Sequence, residues 1–198
     1  MKRAEMVEET RGKLIRAARK TFAEKGYGSA SMDEITAEVG LTRGALYHNF
    51  GDKKGLFQAV VDQIDSEMAS QARASGSQVG NLWDGLLEEG IAYIKMALNP
   101  EVQRIVLLDG PAVLGDPSQW PSQDSCLQST IRTIQALIKQ GTVKPVNAEA
   151  AARLLNGAAL NAALWIAASS NPKSVVDSAL EAFVVMANGF LVQSSAEL

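Results

Sequence analysis

Between Ser31 and Phe50 the sequence reads SMDEITAEVGLTRGALYHNF, and its punctuation admits few backbone paths. Ser31 and Glu34 have the spacing of a capping box, in which the Ser hydroxyl accepts from the N3 amide and the Glu reaches back. That predicts a short helix with Ile35 and Val39, four apart, on its inward side. Gly40 follows, a residue able to take the sharp turn of a helix-turn-helix corner. Leu41 and Leu46 then flank a Thr42 N-cap at the N′ and N4 positions of a hydrophobic staple, which sets the angle at which the second helix leaves.

On that second helix Arg43 with Tyr47, and Gly44 with His48, form i,i+4 pairs on one side, while Ala45 and Leu46 point the other way. A guanidinium, a phenol, an imidazole and a bare stretch of backbone therefore share one face. Arg can read guanine N7 and O6 through two hydrogen bonds, and Gly lets a helix approach a groove closely. Tyr47 and His48 can donate to phosphate oxygens and hold the register. Asp52 is placed to cap the next helix, whose first amides, with Lys53, can hold one more phosphate. Any of these features alone also fits a solvated helix face. Together, within twenty residues, they predict a DNA-reading head.

Outside this segment the apolar spacing is helical nearly throughout, and no stretch shows sustained period-two alternation. A first helix runs from about Glu5 to Lys25, with Leu14, Ala18 and Phe22 on one side, and Gly26 and Gly28 end it. Further helices are predicted at about 52–73, 82–98, 123–140, 148–169 and 172–193, with SGSQVGN and GTVKPVN as connections. The proline-studded LDGPAVLGDPSQWP is expected to hold short turns. The fold class is all-α with about nine helices.

Charge divides the chain unevenly. Residues 1–57 carry 11 Lys and Arg against 8 Asp and Glu, a surplus of +3, whereas residues 58–198 carry −6 and bring the total to −3. A basic head on an acidic body fits one part that faces a polyanion and another with a separate task.

Other functions lack their chemistry. One Cys, Cys126, and one His, His48, exclude a disulfide framework and a multi-cysteine metal site. They lie 78 positions apart, and no Gly-x-Ser-x-Gly, Walker loop or dinucleotide fingerprint occurs. No catalytic residue, metal or cofactor is expected; Cys126 reads as a small buried hydrophobe, with a redox role as the lesser alternative. The start, MKRAEMVEETRGK, is too charged for a secretory leader, and no apolar run approaches the roughly 20 residues of a membrane span. A cytoplasmic protein is expected, with no membrane partner.

The run AARKTFAEKGYGSASMDEITAEVGLTRGALYHNFGDKKGLF resembles the DNA-binding domain of tetracycline-repressor-type (TetR) regulators, above all in GLTRGALYHNF followed by KKGLF. The resemblance implies an all-helical homodimer whose third helix enters the major groove of double-stranded operator DNA. By position it implies DNA contacts from Arg43, Gly44, Tyr47, His48, Asn49 and Lys53, with Ser31 and Thr42 capping helices beside phosphates. Gly51 departs from the pattern, since the family often has proline there. LLDGPAVLGDP is similar to a stretch in one branch of the family's C-terminal domains, but its polar continuation, GDPSQWPSQDS, differs, and no ligand is carried over.

The expected division is a helix-turn-helix DNA-binding domain at 1–57 and a helical ligand-binding and dimerisation domain at 58–198. The last two helices are rich in small residues, Gly157, Ala158, Ala159, Ala162 and Ala163, then Ala179, Ala182, Ala187 and Gly189. These permit close packing, either within one chain or, as the resemblance implies, in a homodimer. Polar or aromatic residues in apolar surroundings are the candidates for contact with a small-molecule effector: Tyr93, Asp109, Trp120, Arg132, Asn161 and Trp165. Each has a plainer reading as core, turn or surface. The expected function is a ligand-responsive regulator, a repressor of a pseudo-palindromic operator; the alternative is a helical small-molecule binding or sequestering protein with only non-specific DNA affinity.

Overall fold

In the computed structural model, which describes residues 3–193, nine α-helices account for nearly all regular structure. They are α1 (Arg3–Ser29), α2 (Met32–Glu38), α3 (Arg43–Phe50), α4 (Lys53–Gly76), α5 (Leu82–Met96), α6 (Gly110–Leu114), α7 (Pro121–Lys139), α8 (Ala148–Ala168) and α9 (Pro172–Asn188). The all-α expectation holds. The chain forms two compact units: residues 1–65 with 99–116, and residues 66–98 with 117–198.

The first unit packs α1, α2, α3 and the first half of α4 around Leu14, Phe22, Ile35, Leu46, Leu56, Phe57 and Val60, all fully buried. Phe22 meets Phe57 edge-on with ring centroids 5.0 Å apart, and Tyr27 lies 4.9 Å from Phe57 on a tilted approach. Gly26 interrupts α1 with φ +74°, where sequence expected the helix to end; helical hydrogen bonding resumes to Ser29. The interruption is filled from outside. A Cβ at Gly26 would run into the guanidinium of Arg104, and the Tyr27 amide donates to Asp109 Oδ2 at 2.7 Å.

Ahead of the proline-studded stretch at 108–121 the structure adds an element for which the sequence predicted nothing: Val102–Asp109 form a π-helix that runs directly into α6. The stretch itself holds the five-residue α6 and a 3-10 turn at Pro117–Gln119, close to the short turns expected. Pro111 lies inside the continuous run of π-helix and α6, just after the π turns, and contributes no N–H to its ladder. Apolar Val102, Ile105, Val106 and Leu107 are buried, and the segment packs on α1. Val102, Ile105 and Val106 keep the i, i+3, i+4 spacing of a helical face, but that spacing does not reveal the i→i+5 bonding of a π turn.

In the second unit α8 packs against α5, α7 and α9 around Trp83, Leu127, Ile134, Leu137, Ala152 and Leu155. Gly90 of α5 receives the Phe183 ring of α9; a Cβ there would lie 2.6 Å from Phe183 Cζ. Trp83 Nε1 donates to Asn188 Oδ1 at 3.2 Å, and Thr130 of α7 bonds Asn156 of α8 at 3.2 Å. Helix α9 ends at Asn188 rather than near Gln193 as expected. The chain beyond it pairs back on the loop after α7: Lys144 N donates to Phe190 O and Val192 N to Thr142 O, making an isolated Val143–Leu191 bridge.

Candidate nucleic-acid interface

The segment from Ser31 to Phe50 folds as its punctuation predicts. Ser31 Oγ accepts from the Glu34 amide at 3.4 Å, and Thr42 Oγ1 accepts from the Ala45 amide at 3.2 Å. Only half of the capping box forms, because the Glu34 carboxylate takes Lys25 Nζ at 2.7 Å instead of returning to Ser31. Gly40 has φ +66°, the left-handed corner between the two helices. Leu46 is fully buried beneath α3.

Burying Leu46 turns the opposite side of α3 outward, and Arg43, Gly44, Tyr47 and His48 are all exposed there. The Arg43 guanidinium lies 3.4 Å from Asp33 Oδ1 and 5.9 Å from the centroid of the Tyr47 ring. These four groups share one open helical face, as the i,i+4 spacing predicts. Asn49 stands differently: its Nδ2 donates to Ala45 O at 2.7 Å within α3, and its carbonyl accepts from Arg11 Nη1 at 3.2 Å. Lys53 is half-buried, with Nζ 3.3 Å from Gly28 O and 4.7 Å above the Tyr27 ring. Burial, followed by the charge of Asp52, pushes the Tyr27 phenol above its usual range.

One contributor, Arg11, escaped the sequence reading. Arg11 stacks 4.5 Å over the Phe50 ring and caps the end of α3 from α1, a cation at a helix C-terminus. Its position in a basic helix gave no sign of its partner. Asp52 behaves as read, accepting from the Gly55 amide at 2.7 Å. Gly51 closes α3 with φ +78°, a value that proline cannot adopt, and its N–H donates to Tyr47 O at 2.8 Å. This connection therefore differs in backbone from one built on proline.

The effector candidates do not gather. Asp109 belongs to the first unit, where it holds the Tyr27 amide and lies 3.5 Å from Arg104 Nε. The other five belong to the second unit. Tyr93 is half-buried and Trp120 buried, whereas Arg132, Asn161 and Trp165 are exposed. Among the described residues Trp120 Nε1 is a buried side-chain donor without a hydrogen-bond partner. The small residues of α8 and α9 also sort themselves: Ala159, Ala163, Ala179 and Ala187 face the core, and Gly157, Ala182 and Gly189 are exposed. Leu154, Trp165, Val185 and Met186 are exposed as well, leaving an apolar face on the last two helices.

Residues 14–60 match the family model described as bacterial regulatory proteins, tetR family. Residues 83–190, more than half of the chain, match the tetracyclin repressor-like C-terminal domain. The chain belongs to the TetR family. A crystal structure of a TetR-family transcriptional regulator from Pectobacterium atrosepticum shares 46% identity over 98% of this chain and 99% of its own, with a TM-score of 0.89. The HTH-type transcriptional repressor AcnR of Corynebacterium glutamicum is 29% identical over 123 residues, 62% of each chain. This chain thus spans about three-fifths of that relative's length. The Transposon Tn10 TetC protein of Escherichia coli is 25% identical over 193 residues, 95% of this chain and 93% of its own. TetR membership places the chain among regulators rather than enzymes. No helix of the described residues is long and apolar enough to cross a membrane.

Proposed function

We propose that this TetR-family chain is a ligand-responsive transcriptional repressor that binds a pseudo-palindromic operator as a homodimer and leaves it when a small molecule binds. The observation that carries this reading is the outward face of α3, with Arg43, Gly44, Tyr47 and His48 exposed above a fully buried Leu46. Arg43 reads a guanine, Gly44 admits the groove, and Tyr47 and His48 hold phosphates. Ser31, Thr42 and Lys53 line the backbone contacts, and Asn49 supports α3 from within its own last turn. Residues 1–57 act as the DNA-binding domain and 58–198 as the ligand-binding and dimerisation domain, working in the cytoplasm.

Two copies meet through α8 and α9. The support is the apolar face that a single chain leaves in water there, Leu154, Trp165, Val185 and Met186, with small residues that let helices approach. Of the effector candidates, Trp120 has the strongest support, since its buried Nε1 lacks an acceptor that a ligand oxygen could supply. Release follows when the ligand prefers a dimer whose heads no longer match the operator, by its difference in affinity for the two states.

Selection from a pool of random duplexes, followed by fluorescence anisotropy at two salt concentrations, tests this. A pseudo-palindrome should be enriched and bound about 10³-fold or more above a scrambled duplex of equal composition. Arg43→Ala should then lose roughly 1–3 kcal/mol on the selected duplex and relax preference at one base pair. Equal, steeply salt-dependent binding to both duplexes would overturn the regulator reading in favour of a sequestering protein.

A further inference from the structure

Helix α2 carries three acidic side chains, and they turn two ways. Glu34 and Glu38 reach back to lysines of α1, at 2.7 Å from Lys25 and 2.8 Å from Lys20. Asp33 turns forward, to Arg43 at the first position of α3, with Nη1 3.4 Å from both carboxylate oxygens. The side chains of Asp33 and Arg43 are 69% and 56% exposed, so the pair adds little to the fold. What it can change is the choice that Arg43 makes among partners in DNA.

We propose that Asp33 is a specificity-determining residue of the reading face, acting through Arg43. This rests on the reading of the head as a DNA-binding module. The described contacts of Arg43 use Nη1, which leaves the Nε and Nη2 donors of the planar fork for an acceptor pair such as guanine N7 and O6. A base contact of that kind keeps Nη1 beside Asp33. A phosphate contact made by swinging the guanidinium off Asp33 would leave an uncompensated carboxylate facing an anionic strand. Asp33 therefore penalises Arg43's generic phosphate contact more than its base contact, and so favours one sequence over the rest. The Tyr47 ring, its centroid 5.9 Å from Arg43 Cζ, limits where the fork can swing.

The experiment uses the full-length protein with Asp33→Asn, Arg43→Ala and both changes together. The probes are the duplex selected by the unaltered protein and its scrambled counterpart, each at two salt concentrations. Asp33→Asn should tighten binding to the scrambled duplex and lower the selected-to-scrambled ratio by about two- to fivefold, the range of an exposed ion pair. Its salt slope on the scrambled duplex should steepen by about one, for one added phosphate contact. In the Arg43→Ala background the ratio should not respond to Asp33→Asn. Equal tightening on both duplexes would overturn the proposal, because Asp33 would then be a bulk charge only. A ratio change that persists without Arg43 would overturn it too. Failure of the unaltered protein to prefer any duplex is a separate result, which overturns the regulator reading and this role with it.

Discussion

The two compact units differ in what they add to an apolar core. The first is cross-linked by charge between its elements: Arg19 grips Glu101 through two bonds of 2.7 and 2.8 Å, Lys20 meets Glu38, Lys25 meets Glu34, and Asp109 holds Tyr27. The second relies on apolar interlock, with Phe183 seated over Gly90 and Trp83 and Ile134 in its core, and its described pair Arg153–Glu149 lies within one turn of α8. Both units bury an apolar core, Leu14, Phe22, Ile35, Leu46 and Phe57 in the first and Trp83, Ile134, Leu137 and Leu155 in the second. What differs is the addition. The first sets directional polar bonds between its elements on top of that packing, with Arg19–Glu101 the least exposed of the described ion pairs. The second leaves Leu154, Trp165, Val185 and Met186 exposed on its last two helices.

The largest effect expected is loss of assembly. Val185 is 68% exposed, and a charge there opposes the burial proposed for α9. Val185→Glu should sediment as a monomer with its helical content intact, and should lose most operator affinity. If the unaltered protein were itself a monomer at micromolar concentration, the apolar face would need another account. Next comes Phe183→Ala, expected to lose about 3–5 kcal/mol in a urea melt, because a rigid notch at Gly90 cannot collapse around the missing ring. A loss below about 1 kcal/mol would mean that this seam is not close-packed.

Glu101→Gln probes the charged unit. Both partners are about three-quarters buried, with 24% and 27% side-chain exposure, so removing the charge should lower stability by about 1–2 kcal/mol. Hydrogen exchange should report faster opening of α1, whereas an unchanged protection pattern would make the pair ornamental to the fold. The smallest effect concerns Glu89, whose carboxyl is raised by burial, partly offset by Arg73. A raised folded pKa means that the native state binds the proton more tightly than the unfolded chain. Stability contributed by the protonated form is full below the ordinary carboxylate pKa and falls as pH rises through the raised value. Glu89→Gln should therefore melt slightly higher than the unaltered protein at neutral pH, and the gap should close in acid. A gap independent of pH would show that the carboxyl is not the cause.

Much of the head was legible because its instructions are local. The Ser31 and Thr42 caps, the Gly40 corner and the inward Leu46 act within one or two helical turns, and each is found where spacing put it. The exposed face of Arg43, Gly44, Tyr47 and His48 follows once Leu46 is buried. Asn49 and Lys53 were less legible, since side chains that look free along the sequence find partners in Ala45 O and Gly28 O. The effector candidates were least legible of all. A polar residue in an apolar stretch marks equally a pocket, a turn or a subunit face, and Trp120, Asp109 and Trp165 stand in three different environments.

The sequence alone determined the all-helical class, the helix-turn-helix and its outward face, because capping, left-handed glycine and apolar period are properties of a few neighbouring residues. Only the tertiary structure decided that residues 102–109 wind as a π-helix, that Arg104 fills the break at Gly26, and that Asp33 rather than Glu34 meets Arg43. Those outcomes join residues distant in the chain or depend on which of two nearby carboxylates has the better-placed partner. Their energies are decided by a few ångströms of geometry that no pattern of neighbours encodes.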